Sequence, residues 1–191
     1  MYKRPKDFRG IIDVSGSMTQ YKVEVSGLDK KVSRLQALYM ASQMITDSYE
    51  GKFILGPADR ISFYFFSKNV VGPMAQSTGT DTTESGRAIA SLIGYKDPSS
   101  KYYDEEWVNE NLTKAGLDIN GTAAFEGAQK ALDDILANYD PQYDYYIVIL
   151  SDGESNIGMN ADAFYQNWKE ANKLNITLIG ISFGTDGSSV N

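Results

Sequence analysis

The residues that could do chemistry in this chain are two aspartates and three hydroxyls in three short segments. Asp13, Ser15 and Ser17 alternate within IIDVSGSM (Ile11 to Met18), directly after an apolar run. Thr122 follows Gly121 at the start of an amphipathic stretch, and Asp152 follows the apolar YYIVIL in ILSDGESN. An Asp-x-Ser-x-Ser spacing admits an ordinary turn, a serine nucleophile or part of a metal cage. A turn needs only Asp and Ser bonding nearby backbone, with Gly16 allowing the bend. A nucleophile needs a base. The chain has no histidine, which removes every Ser-His-Asp mechanism, and no cysteine, which removes disulfides, zinc-thiolate sites and cysteine nucleophiles. Gly121-Thr122 also suits a helix N-cap, and Ser151-Asp152-Gly153 also suits a turn.

The elements that must position these segments follow from hydrophobic periodicity. Phe8 to Val14 and Ile176 to Phe183 read as strands, and Ile61 to Ser67 and Tyr145 to Leu150 as strands covered on both faces. Between them, Leu35, Leu38, Ala41, Ile45 and Tyr49 step as one helical face, with Gly51 as the stop. Phe125, Ala128, Leu132 and Ile135 do the same in a helix beginning near Thr122, and Phe164, Trp168, Ala171 and Leu174 in another. Tyr21, Val23 and Val25 suggest a small hairpin, Asn69 to Val71 a short edge strand limited by Pro73, and Ala88 to Ile93 a brief helix. Residues 94–120 read as an irregular insertion with one or two helical turns in YYDEEWVNENL. This alternation predicts an α/β, doubly wound, Rossmann-like fold with a mostly parallel central sheet flanked by helices. Such sheets bind ligands at the carboxyl ends of their strands, and Asp13 to Ser17 and Ser151 to Asn156 fall at such ends.

Bulk composition narrows the partners. With 191 residues, 42% hydrophobic and 23% charged, the chain fits one soluble domain over 1–191 with a substantial core at about 8–183. The net charge is −7 and the 18 Lys and Arg are scattered, so no basic stripe exists to track nucleic acid. No apolar run reaches the roughly 18 residues of a membrane span. MYKRPKDFRG lacks the apolar core of a signal peptide, which leans toward the cytoplasm. An extracellular place stays open if the chain is an excised domain.

Taken together and in this order, DVSGS, GTAAFEGAQKAL and YYIVILSDGESN resemble the three segments of the metal-ion-dependent adhesion site (MIDAS) of von Willebrand factor type A (VWA) domains. That family includes integrin inserted domains and many bacterial proteins, and the chain is read as a bacterial member. The resemblance spans Phe8 to Phe183 and implies the VWA fold. It implies five ligands to a divalent cation: Asp13, Ser15, Ser17, Thr122 and Asp152. Ser15 and Ser17 would bind directly, Thr122 and Asp152 directly or through water, and Asp13 through water. Glu154 would order a metal-bound water. All five side chains offer oxygen, which suits Mg²⁺ first and Mn²⁺ or Ca²⁺ after it. A shell rich in neutral hydroxyls leaves the cation under-neutralised, so it would take an Asp or Glu carboxylate from a partner protein. The expected function is therefore a metal-dependent protein-binding module rather than an enzyme. Tyr102, Tyr103 and Trp107, in the insertion that leads to Thr122, are candidate partner contacts.

Two other functions compete. A VWA subunit of a chelatase-type or ATPase-associated complex would carry the same residues, and neighbouring domains would distinguish it. A metal-dependent hydrolase of the haloacid-dehalogenase kind needs a second carboxylate two residues after the first, where this chain has Ser15; no P-loop pattern is present either. One departure from the family concerns its last helix, which normally follows the final strand. Here eight residues, GTDGSSVN, stand after Phe183; whether that helix is trimmed or absent, the resemblance predicts no affinity switch from these residues.

Overall fold

A computed structural model describes residues 4–46, 55–79, 81–153 and 155–182. Tyr49, Gly51, Glu154 and Phe183 lie outside the described residues, as do 184–191. The strands are β1 (Lys6–Asp13), β2 (Lys22–Val23), β3 (Val32–Ser33), β4 (Arg60–Phe66), β5 (Val70–Thr78), β6 (Asp144–Ser151) and β7 (Ile176–Ser182). The helices are α1 (Gly16–Gln20), α2 (Arg34–Thr46), α3 (Thr83–Ile93), α4 (Glu105–Lys114), α5 (Ala124–Ala137) and α6 (Ala161–Ala171).

Five strands form the central sheet in the order β5-β4-β1-β6-β7. β4, β1, β6 and β7 run parallel, and β5 closes one edge antiparallel to β4. β1 is central because the chain first builds outward on one side of it through β4, then crosses back to build β6 and β7 on the other. That crossing makes a topological switch between β1 and β6, where loops diverge and leave a crevice.

Strand alternation gives the sheet a core on each face. Ile12, Val14, Phe63 and Phe65 pack with Leu35, Leu38, Ile89, Ile93, Val108 and Leu112 from α2, α3 and α4. Ile11, Tyr64, Phe66, Tyr145 and Ile147 pack with Ala128, Leu132, Ile135 and Phe164 from α5 and α6. Ile11 and Ile12 are thus adjacent in sequence and in different cores, which fixes the pleat of the strand that ends in Asp13.

Several elements differ from expectation. The small hairpin suggested at Tyr21 to Val25 is present but wider than the alternation implied: β2 pairs antiparallel with β3, nine residues further on (Val23 with Val32). β5 runs past Pro73 to Thr78, because on an edge strand the missing N–H costs no ladder bond, and register irregularities opposite Phe63 absorb the interruption. α3 begins at Thr83, five residues before the apolar run Ala88 to Ile93. The 94–120 insertion contains a ten-residue helix, α4. Asp104 caps it by accepting a hydrogen bond from the Trp107 N–H at 3.0 Å, and Val108 and Leu112 anchor it in the core. Among the described residues no helix is long and apolar enough to cross a membrane.

α5 lies close against β1. Its inner face carries Ala124, Gly127, Ala128 and Ala131, and a Cβ built on Gly127 would stand 2.8 Å from Ile11 Cγ2. Glycine here sets how near the helix, and the Thr122 segment before it, comes to the strand ending in Asp13. Gly127→Leu is therefore expected to cost about 1–3 kcal/mol through overpacking. Urea unfolding of the two proteins measures it, and an unchanged midpoint would show that α5 is not seated as described.

Candidate metal centre

The parallel pairing of β1 with β6 brings two of the three segments side by side. The register matches Ile12 with Leu150, so the next residues, Asp13 and Ser151, leave the sheet as neighbours. Asp13 is fully buried. Its Oδ1 accepts a hydrogen bond from the Ser15 N–H at 2.9 Å, and its Oδ2 accepts one from the Ser151 hydroxyl at 2.6 Å. Burial pushes the Asp13 carboxyl above the ordinary carboxylate range; the bonds from Ser15 and Ser151 oppose that, and the nearby Asp152 charge adds to it.

Past Asp13 the backbone turns into α1, so Ser15 and Ser17 come round to the same side. Gly16 donates its N–H to the Ile119 carbonyl at 3.0 Å, which ties this turn to the end of the insertion. The hydroxyls of Ser15 and Ser17 are 3.1 Å apart, and the Ser17 hydroxyl donates to Asp152 Oδ1 at 2.8 Å. Asp13, Ser15, Ser17 and Asp152 thus form one continuous chain of hydrogen bonds across the carboxyl edge of β1 and β6.

Thr122 joins through backbone. Its N–H donates to Asn156 Oδ1 at 2.9 Å, and its carbonyl accepts from the Asn156 and Ile157 N–H groups and from the Ser155 hydroxyl. The Ala123 N–H donates to the Ser67 carbonyl at the end of β4. The Thr122 loop is therefore stitched to the loop after β6 and to β4, and its buried side chain sits at the same edge.

Three residues at this edge were not foreseen. Ser151 and Asn156 flank Asp152 in SDGESN, and their polar types were the available signal. Arg34 gave a weaker one. It is the first residue of α2, and a cation there opposes the helix dipole, so its type was at odds with its place. Its Nη1 donates to Asp152 Oδ2 at 2.8 Å, and the two side chains are 7% and 3% exposed.

The candidate contact residues are placed unevenly. Tyr102 is 73% exposed. Tyr103 packs against the α2–α3–α4 core and donates its hydroxyl to the Ile93 carbonyl, and Trp107 packs on the same core. Burial holds the Tyr103 hydroxyl well above its ordinary range. The insertion as a whole does return to the site edge, through Ile119 and through the Asp118 carbonyl, which accepts from the Lys68 N–H.

The donor set suits a small hard cation. Oxygens at the corners of an octahedral Mg²⁺ or Mn²⁺ shell lie about 3.0 Å apart along each edge, from a metal–oxygen distance of about 2.1 Å. The Ser15–Ser17 and Ser17–Asp152 hydrogen bonds, 3.1 and 2.8 Å long, are compatible with that spacing. Among the described residues no three carboxylates converge, so neutral hydroxyls carry much of the donor set.

Solved structures share this arrangement of elements. The chain aligns with the manganese-loaded TRAP protein of Plasmodium vivax at TM-score 0.53 and 12% identity, over 96% of this chain and 59% of that one. A von Willebrand factor type A protein from Catenulispora acidiphila gives 0.53 and 16%, over 92% of this chain and 32% of that one. Proximal thread matrix protein 1 of the mussel byssus gives 0.53 and 16%, over 93% and 38%. This chain therefore spans under two thirds of each of those chains. No protein-family model and no curated protein matches it. At such identities the likeness is one of fold, and the fold is VWA-like.

The Arg34–Asp152 pair has a stability consequence. Asp152→Ala would leave a buried guanidinium without its counter-charge, and the expected loss is roughly 3–5 kcal/mol. The double variant Asp152→Ala/Arg34→Met should recover most of it. A denaturant double-mutant cycle in metal-free buffer checks this; additive losses would show that the pair is not coupled.

Proposed function

We propose that the chain is a divalent-cation-dependent protein-binding module whose site lies at the carboxyl edge of β1 and β6. One observation carries this: Ser15, Ser17 and Asp152 hold their side-chain oxygens at shell-edge spacing, over a buried Asp13 whose own oxygens are both engaged. Ser15, Ser17 and Asp152 would hold the ion directly. Asp13 would act from behind them, through the serine loop it braces or through water, and Thr122 would complete the far side.

A bound cation would supply a Lewis-acidic centre able to accept one more oxygen. The chain's own residues decide what that oxygen is. Three hydroxyls are neutral, and the charge of Asp152 is shared with Arg34, so these donors do not neutralise a dication. A partner's Asp or Glu carboxylate is the favoured newcomer, because its charge is stabilised there as it loses water. The chain has no histidine to serve as a general base, and the Ser17 hydroxyl is held by Asp152 at 2.8 Å. These features favour binding over chemistry at this site. The manganese-loaded state of the Plasmodium vivax protein, which shares the fold, supports considering Mn²⁺ beside Mg²⁺.

Mg²⁺ or Mn²⁺ is expected to raise the melting temperature, and EDTA to reverse the rise. Ser17→Ala and Thr122→Val should each lose most of the shift while keeping the wild-type circular dichroism. A pull-down in Mg²⁺ should retain partners that a parallel pull-down in EDTA releases. A wild-type protein whose melting is indifferent to Mg²⁺, Mn²⁺ and Ca²⁺ would remove the proposal.

A further inference from the structure

Arg34 occupies a costly position. It opens the 13-residue helix α2, where the N-terminal end of the dipole repels a cation. It is 6% exposed, and its Nε is buried with no hydrogen-bond partner among the described residues. An arginine rarely leaves one of its donors unmet away from water. Two contacts compensate. Nη1 bonds Asp152 Oδ2, and the guanidinium lies 4.8 Å from the centre of the Tyr21 ring, at the end of α1. The Arg34 N–H also donates to the Tyr21 carbonyl at 3.1 Å, so the start of α2 and the end of α1 are held as one unit. All of this aims a fixed positive charge at one of the carboxylates proposed to hold the metal.

Resting on that metal reading, we infer that Arg34 is an internal counter-cation that competes electrostatically with the divalent ion for Asp152 and so couples metal retention to arrival of an acidic partner. The charge count gives the reason. Among the described residues of the site, Asp13 and Asp152 bring two negative charges, and Arg34 cancels one. A dication then leaves the buried edge one unit positive; without Arg34 the same ion would leave it neutral. Carboxylate charge is delocalised over both oxygens, so a guanidinium on Oδ2 lowers what Oδ1 offers a cation even if both contacts persist. The residual positive charge is removed when one outside carboxylate arrives. The ion is thus held weakly by the protein alone and firmly in the ternary complex. Lys68, whose Cβ lies 3.3 Å from where a Cβ on Gly121 would stand, does not serve this role: it is half exposed and pairs with Asp118 at 3.4 Å.

The test is direct Mn²⁺ binding, followed by electron paramagnetic resonance of the free ion and by calorimetry, on wild type, Arg34→Gln and Arg34→Lys. Mg²⁺ competition and acetate, as a carboxylate probe, complete the set. Arg34→Gln should bind Mn²⁺ about ten-fold more tightly or better, since a unit charge a few ångströms away is removed. Acetate should tighten Mn²⁺ binding in wild type and do so less in Arg34→Gln. Arg34→Lys keeps the charge without the fork and should stay near wild type. Equal or weaker affinity in Arg34→Gln, at unchanged circular dichroism, overturns the inference while leaving the metal site standing. A gain in Arg34→Lys as large as in Arg34→Gln overturns it too, because charge would not be the cause. Absence of Mn²⁺ binding in all three proteins removes the metal reading and this inference with it.

Discussion

Everything at the candidate site depends on the parallel pairing of β1 with β6. A parallel pair sends both chains out of the sheet at the same end, so two loops far apart in sequence must begin as neighbours. Here the register delivers Asp13 beside Ser151, and the bond between them closes the floor of the site. The pairing is itself fixed by burial on both faces. Ile11 and Ile147 are held by α5 and α6, while Ile12 is held by α2, α3 and α4. A slip of one residue in β1 would exchange the two isoleucines between cores and turn Asp13 away from its partners. The placement of the polar atoms is thus inherited from apolar packing one and two residues earlier.

The third segment arrives by a different route. Thr122 does not extend a strand; it belongs to the approach to α5, whose alanine and glycine face lets the helix lie low on β1 and β4. Its position is then secured by backbone bonds to Asn156, Ile157 and Ser67, contributed by two other strand ends. The backbone thus does the structural work of placing this segment. The insertion that precedes Thr122 shares in this, since the Ile119 carbonyl accepts from Gly16 inside the serine loop.

Much of this was legible in the sequence, for identifiable reasons. Short apolar runs announce strands, and a polar cluster directly after one lies at a sheet edge, as with Asp13 and Asp152; YYIVIL is nonetheless only partly buried, with Tyr146, Val148, Ile149 and Leu150 intermediate rather than covered on both faces. What stayed hidden depended on tertiary context. β5 runs through Pro73 because it is an edge, and edge position is a property of the sheet. α4 has few apolar residues, since only Val108 and Leu112 are fully buried, so its periodicity was faint against Glu and Asn. The β2–β3 pair joins segments nine residues apart with only two residues on each side. Ser151 and Asn156 stood in plain sight within SDGESN, but nothing in one dimension distinguishes a bracing hydroxyl from a solvated one. Glu154, in the same segment, lies outside the described residues.

Arg34 shows where pattern reading reaches its limit and charge accounting begins. By helix preference it is misplaced, and by surface statistics an arginine should be exposed; both expectations fail at one residue, which the carboxylate of Asp152 and the ring of Tyr21 hold in place. Local rules tend to be broken where a structure serves something other than its own stability. An oxygen cluster meant only to grip a cation would gain from a second free carboxylate and lose from a guanidinium. A cluster meant to hold a cation provisionally, until another molecule's acid completes it, gains from neutral hydroxyls and from a positive charge that keeps the account short by one. On the proposed reading, Ser15, Ser17 and Arg34 serve the same end from different parts of the chain.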